Sequence, residues 1–93
     1  MKAYQFEILL LIAGVEPHYK YVTGLIRMYN TLTADIKSQV NAHIQQGMDI
    51  TGWREPTYQE LCRVHNENVT IDYTIECKNS DHDIVFRVSR MDE

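Results

Sequence analysis

Gln5-Phe6-Glu7-Ile8-Leu9-Leu10-Leu11-Ile12-Ala13-Gly14 is the densest apolar run in the chain. As an extended strand it sorts into two faces, Phe6, Ile8, Leu10 and Ile12 on one and Glu7, Leu9, Leu11 and Ala13 on the other. Both sets are mostly apolar, which predicts a strand covered on both faces and central in its sheet. A buried helical segment has the same composition, but Gly14 and Glu16-Pro17 close the run at strand length. The remaining residues then have to extend this strand into a sheet and cover it.

Downstream, residues 15–20 read as a polar connector, with Pro17 holding Glu16 extended. Residues 21–32 place Val22, Leu25, Ile26, Tyr29 and Leu32 at helical spacing, which predicts a first helix. Gly24 inside it costs up to about 1 kcal/mol relative to Ala, or marks close contact with the sheet. Residues 33–46 predict a second helix, with Thr33 as N-cap, Asp35 in the first turn and Gly47 as the stop. Ile36, Val40 and Ile44 form its stripe. The junction at 30–33 reads either as a tight break or as a kink in one long helix. Residues 49–56, DITGWREP, read as a loop.

Residues 57–68 carry two patterns. Thr57-x-x-Glu60 is a capping box, after which Tyr58, Leu61, Cys62 and His65 share a helical face. Cys62 and Val64 also alternate with Arg63 and His65, as in a strand ending at a turn over 66–68. The hairpin that follows favours the strand. Val69, Ile71, Tyr73, Ile75 and Cys77 alternate with polar residues, and Ile84, Phe86 and Val88 repeat the pattern. Setting Ile75 opposite Phe86 and Tyr73 opposite Val88 pairs inward residues and places Thr74 opposite Arg87. Residues 90–93 read as a charged tail. The expectation is one domain over 1–93, α+β, with an antiparallel sheet of three to four strands and two helices packed on one face.

Ninety-three residues at 44% hydrophobic and 24% charged are ordinary globular composition. So small a domain has a thin stability margin, which self-association widens. No run approaches ~20 apolar residues, so no membrane span is expected. The chain opens on Met1 and reads as a complete short reading frame. Only Lys2 precedes the apolar run and Glu7 interrupts it, which argues against a signal peptide. Two cysteines, Cys62 and Cys77, make no disulfide framework and read as reduced thiols in the cytoplasm. The net charge of −4 is uneven. Residues 1–48 are near neutral, whereas residues 49–93 carry ten acidic groups against five basic ones. That balance argues against direct nucleic-acid binding and suits a protein partner with a basic surface.

Few residues point to chemistry. Cys62, His65, Cys77 and His82 supply two thiols and two imidazoles, but their spacing fits no standard zinc finger. Core thiols are the simpler reading. Asp81-His82-Asp83 lacks the ligand ladder of a calcium loop and reads as a solvated turn. No phosphate loop, nucleophile elbow or HExxH is present. No cofactor or metal is expected, and the motifs lean away from an enzyme.

Tyr4, Tyr19, Tyr21, Trp53 and Tyr58 exceed what the core pattern accommodates. Trp, Tyr and Arg anchor protein interfaces. Trp53 and Arg54, with Tyr58 nearby, form the expected anchor, and Asp72, Glu76, Asp81 and Asp83 form an acidic contact surface. Trp53 folded back as a cap on the helix layer is the competing assignment. In size, acidity and lack of catalytic signatures, the chain resembles the small stand-alone accessory proteins with which phages and mobile elements block host machinery. The expected function is a non-enzymatic, protein-binding regulator or inhibitor. The alternative is a small metal- or thiol-dependent enzyme or sensor using Cys62, His65, Cys77 and His82. A third reading buries the aromatics between copies, as in a homodimer.

Overall fold

The computed structural model describes residues 3–78 and 83–92, and the apolar run is a strand, β1 (Gln5–Ile12). In chain order the other elements are β2 (His18–Thr23), α1 (Leu25–Gln45), β3 (Ile50–Gly52), α2 (Tyr58–Glu67), β4 (Ile71–Cys77) and β5 (Ile84–Met91). The described strands make one antiparallel sheet in the order β2-β1-β5-β4-β3. The α+β class is as expected, but the sheet has five described strands rather than three or four.

β3 comes from a segment read as a loop, and β2 from the end of the expected connector and the first residues of the expected first helix, 21–23. β2 forms because Tyr19, Tyr21, Val22 and Thr23 suit extended backbone and β1 offers an open edge. Gly14, at φ 80, makes the turn between them, where Val15 N–H donates to the Ile12 carbonyl at 3.1 Å. β3 is only three residues and pairs Ile50 with Cys77 and Gly52 with Glu76.

The two expected helices are one. α1 runs unbroken through residues 30–33, and Thr33 lies inside it rather than capping a second helix. The helix begins after Gly24, whose φ of 94 suits glycine. Gly24 N–H donates to the Tyr4 carbonyl at 2.9 Å, and its own carbonyl accepts from Met28 N–H at 3.0 Å. One glycine thus ends β2 and starts α1. Because Val22 belongs to β2, the buried row is Met28, Leu32, Ile36 and Val40, and Ile26 and Ile44 are 66% and 55% exposed. α1 reaches from β2 to β3, the two edge strands.

Residues 58–67 are helical, against the lean toward a strand. The capping box is complete, with Thr57 accepting from Glu60 N–H and Glu60 accepting from Thr57 N–H. Leu61 and Val64, three apart, are fully buried, which only helical periodicity allows on one face. Asn68, at φ 55, ends the helix instead of turning a hairpin.

The β4–β5 hairpin has the expected faces but a register two residues from the expected one. Ile75 lies opposite Ile84, Tyr73 opposite Phe86 and Ile71 opposite Val88. A shift of two keeps every inward residue inward, so side-chain alternation cannot choose between the registers. The adopted one places Asp72 opposite Arg87, whose Nε and Nη2 donate to the two carboxylate oxygens at 2.9 and 3.1 Å.

Phe6, Ile8, Tyr73, Ile75, Ile84, Phe86 and Val88 form one face of the sheet and join the buried residues of α1 and α2 in a single core cluster. The expectation that β1 is covered on both faces is corrected here: both helices pack on the Phe6 face. Across the other face, Tyr19, Leu9, Arg87 and Asp72 stand side by side on four successive strands, with Leu11 beside Val85. Tyr19 and Tyr21 are about half exposed.

Arg90 belongs to β5 rather than to a charged tail. It donates to the His65 carbonyl at 2.6 Å, pairs with Asp92 at 2.7 and 2.8 Å, and lies 4.2 Å over the Tyr4 ring. It therefore ties the end of α2 to the sheet. Arg90→Met is expected to lower the thermal midpoint more than Arg63→Met, which removes only an exposed Glu67 pair. On α1, Leu32→Ala should cost about 2–5 kcal/mol in urea unfolding. Ile44→Ala should stay within about 0.5 kcal/mol.

Candidate functional site

β3 and the segment after it fold around the outer edge of β4. Lys78 N–H donates to the Asp49 carbonyl at 2.7 Å, and the Thr51 hydroxyl donates to the Glu76 carbonyl at 3.3 Å. Beyond Gly52 the chain leaves the strand and opens a groove of about 380 Å³. Gly52, Trp53, Arg54, Asp72, Thr74 and Glu76 line it. A Cβ on Gly52 would stand 3.3 Å from Glu76 Oε2, so the missing side chain lets that carboxylate lie against the backbone.

Arg54 fixes the groove wall. Its Nη1 and Nη2 donate to Glu60 Oε1 and Oε2, both at 2.7 Å, and its guanidinium stacks 4.6 Å over the Tyr73 ring. Glu60 Oε1 also accepts from the Thr57 N–H and hydroxyl, at 3.0 and 3.1 Å. Further along, Glu55 pairs with Lys37 of α1 at 2.9 Å, and Pro56 is buried. Trp53, 39% exposed, thus projects from a segment fastened to both helices.

Hydrogen bonding to Arg54 holds the Glu60 carboxyl down at about 2, with the Thr57 backbone adding to it and burial opposing. The same bond raises Arg54. Burial pushes the Tyr73 hydroxyl up to about 12, and the Glu60 charge adds to the effect. Asp72 forms its fork with Arg87, and no ion-pair partner of Glu76 is found among the described residues. The groove combines an indole face, fixed donors and surface carboxylates.

Trp53, Arg54, Asp72 and Glu76 line one groove, so part of the expected anchor meets part of the expected acidic surface, although Arg54 is spent largely on holding the wall. Tyr58 is not part of this group. Its ring meets Tyr29 edge-on at 5.8 Å and lines a separate groove with Tyr4, Ile26 and His65. Asp83 is exposed just ahead of β5, away from the groove lining, and Asp81 lies outside the described residues.

Of the alternative set, Cys62 is partly buried on α2 and Cys77 is buried on β4, both as free thiols. His65 packs on Tyr4 and Phe6, with Nδ1 2.6 Å from Asn66 Oδ1. His82 lies outside the described residues. Among the described residues no group of three or more His, Cys, Asp or Glu side chains is placed to hold a metal ion, and no helix is long and apolar enough to cross a membrane.

Leu9, Leu11 and Val85 share the open sheet face with Tyr19 and Tyr21, which the sequence marked only as surplus aromatics. Their signal was present: β1 is apolar on both sides, and Tyr19 and Tyr21 are two apart in an extended segment. Compared with known proteins, the chain matches no family model, no curated protein and no solved structure.

The Glu60 linkage has a definite sign. Its carboxyl falls from an ordinary 4.5 to about 2 on folding, so the contribution is complete above pH 4.5. It is lost progressively as pH falls from there through 2. Urea unfolding across this window should show stability falling less steeply with acid in Glu60→Gln than in the unaltered protein.

Proposed function

We propose that this chain is a non-enzymatic, protein-binding regulator or inhibitor. It acts in the cytoplasm by covering a functional site on a partner with a basic surface, in the manner of phage and mobile-element accessory proteins. The carrying observation is Trp53 beside Asp72 and Glu76, continuous with a sheet face of partly exposed Leu9, Leu11 and Val85 that no described element covers. Asp72 and Thr74 belong to the same face as Arg87 and Val85, and those lie next to Leu9 and Leu11. An aromatic anchor, an apolar field and an acidic rim thus adjoin one another.

Each part has a role in such a contact. A large apolar patch on a small protein marks an interaction surface. A rigid tryptophan gains contact area at little entropic cost. The carboxylates of Glu7, Asp72 and Glu76 outnumber Arg87 on this face, which steers basic partners toward it and repels nucleic acid. A rigid face of this kind acts by occlusion. Its partner loses access to its own substrate or ligand without any bond being made or broken.

The test is affinity capture with the tagged chain from bacterial lysates, followed by measured binding of the captured protein. Trp53→Ala should weaken that binding by about tenfold or more, as removal of a central anchor does. Glu76→Lys should slow association and reduce its dependence on salt. Unchanged binding in Trp53→Ala, Glu76→Lys and Leu9→Glu would remove this surface from the proposal.

A further inference from the structure

We propose that a second concavity, on the helix side of the sheet, binds a small organic carboxylate with a single-ring or branched apolar body. Between α1 and β2 the layers enclose a half-open cavity of about 200 Å³. Its floor is Ile8, Leu10 and Phe86. His18 and Lys20 of β2 stand on one side, and Asp35, Ser38 and Gln39 of α1 on the other.

The residue types are unusual for where they stand. His18 and Lys20 face Leu10 and Ile8 across the β2–β1 ladder, so they point to the helix side. Core-facing positions call for apolar residues, and Val22, the next in that row, is one. At the two positions over the cavity the row turns polar instead. Lys20 Nζ donates to Asp35 Oδ2 at 2.8 Å, which holds the ammonium at the mouth and links strand to helix.

The rim can present several donors to an anion. Lys20 uses one of its three N–H groups on Asp35 and keeps two. His18, the Ser38 hydroxyl and the Gln39 amide each donate as well as accept and can turn a donor toward an anion, whereas Asp35 is the one rim group that only accepts. A convergent set of donors over an apolar floor is the usual form of a small-ligand site. The floor selects against a bare inorganic anion, because it offers nothing to a hydrated oxyanion. Size narrows the class further: a dry cavity of about 150 Å³ accepts benzene. The present volume therefore takes one ring, or a branched chain of similar bulk, together with its carboxylate. Few ligand atoms allow only micromolar to millimolar affinity. The cavity lies across the sheet from the Leu9 face, so this inference stands apart from the protein-binding proposal.

Amide correlation NMR on the full chain, titrated with benzoate, phenylacetate, benzamide and inorganic phosphate, tests it. The two carboxylates should shift the amides of residues 8, 10, 18, 20, 35, 38 and 39 saturably. Benzamide and phosphate should bind at least about tenfold more weakly, since each lacks one half of the recognition. Lys20→Met keeps the side-chain stem and should lose about tenfold or more. Ser38→Trp, from an exposed helix position, should block the mouth. Asp35→Asn removes the competing carboxylate and should bind benzoate at least as well as the unaltered chain. Loss of binding in Asp35→Asn with a folded spectrum would overturn the anion assignment. So would equal affinity for benzamide, or no saturable shift below about 20 mM benzoate, a weaker affinity than a built site of this size gives.

Discussion

The pairing of β1 with both β2 and β5 is the constraint on which the rest depends. Gln5 to Ile12 all have partners in β5, and Gln5 to Leu10 have partners in β2 as well. The first strand is therefore closed by the last one, and the whole chain lies between them. Loop-closure entropy has to be met before those contacts form, so the order of assembly is constrained by long-range pairing rather than by the helices. α1 and α2 then have one place to rest. Met28, Leu32, Ile36 and Val40 meet Phe6, Ile8 and Phe86, while Leu61 and Val64 complete the same cluster. A strand apolar on both sides within a two-layer fold leaves its second face uncovered, and that is the source of the proposed binding surface.

The free edges of the sheet are handled differently at its two ends. Beside β4, a three-residue strand gives way to a segment fastened by Arg54, Glu55 and Pro56. Arg54 links Glu60 of α2 to the Tyr73 ring of β4, so one side chain joins helix, loop and sheet. The acidity of Glu60 follows from the same contact. The strength of that pairing stabilises the loop and also fixes Trp53 at the rim of the groove. At this end, stability and presentation of the surface are one set of interactions.

Much of this was legible in the residues, and the failures have physical causes. β1 and the hairpin faces follow from alternation. The closeness of Trp53 to Asp72 and Glu76 did not, because it depends on the three-residue β3 pairing with β4 in a segment that reads as a loop. The hairpin register did not, because a shift of two preserves every face and only the Asp72–Arg87 fork distinguishes the alternatives. β2 was hidden by Pro17 and by the helical spacing of Val22 with Leu25 and Ile26. Gly24 divides those residues between a strand and a helix, and its left-handed backbone is invisible to periodicity. Tyr58 is near Trp53 in sequence but turns away, because the first turn of α2 aims it at Tyr29. Arg90 looked like a tail residue since its partner, the His65 carbonyl, is 25 residues away.

Lys20 connects the stability of the β2 edge to the chemistry proposed behind it. An inward-pointing charge on an edge strand deters pairing with another copy, because a strand added there would bury it. Here the charge is already compensated by Asp35, so the fold keeps the device at little electrostatic cost. The β2 edge is thereby poorly suited to extending the sheet, whereas Tyr19, Leu9 and Leu11 on the open face carry no such penalty. The same lysine cannot serve an apolar core, so the cavity under it stays unfilled and lined with donors. A single residue choice on β2 thus bears on both proposals, the protein surface on one side of the sheet and the small-ligand site on the other.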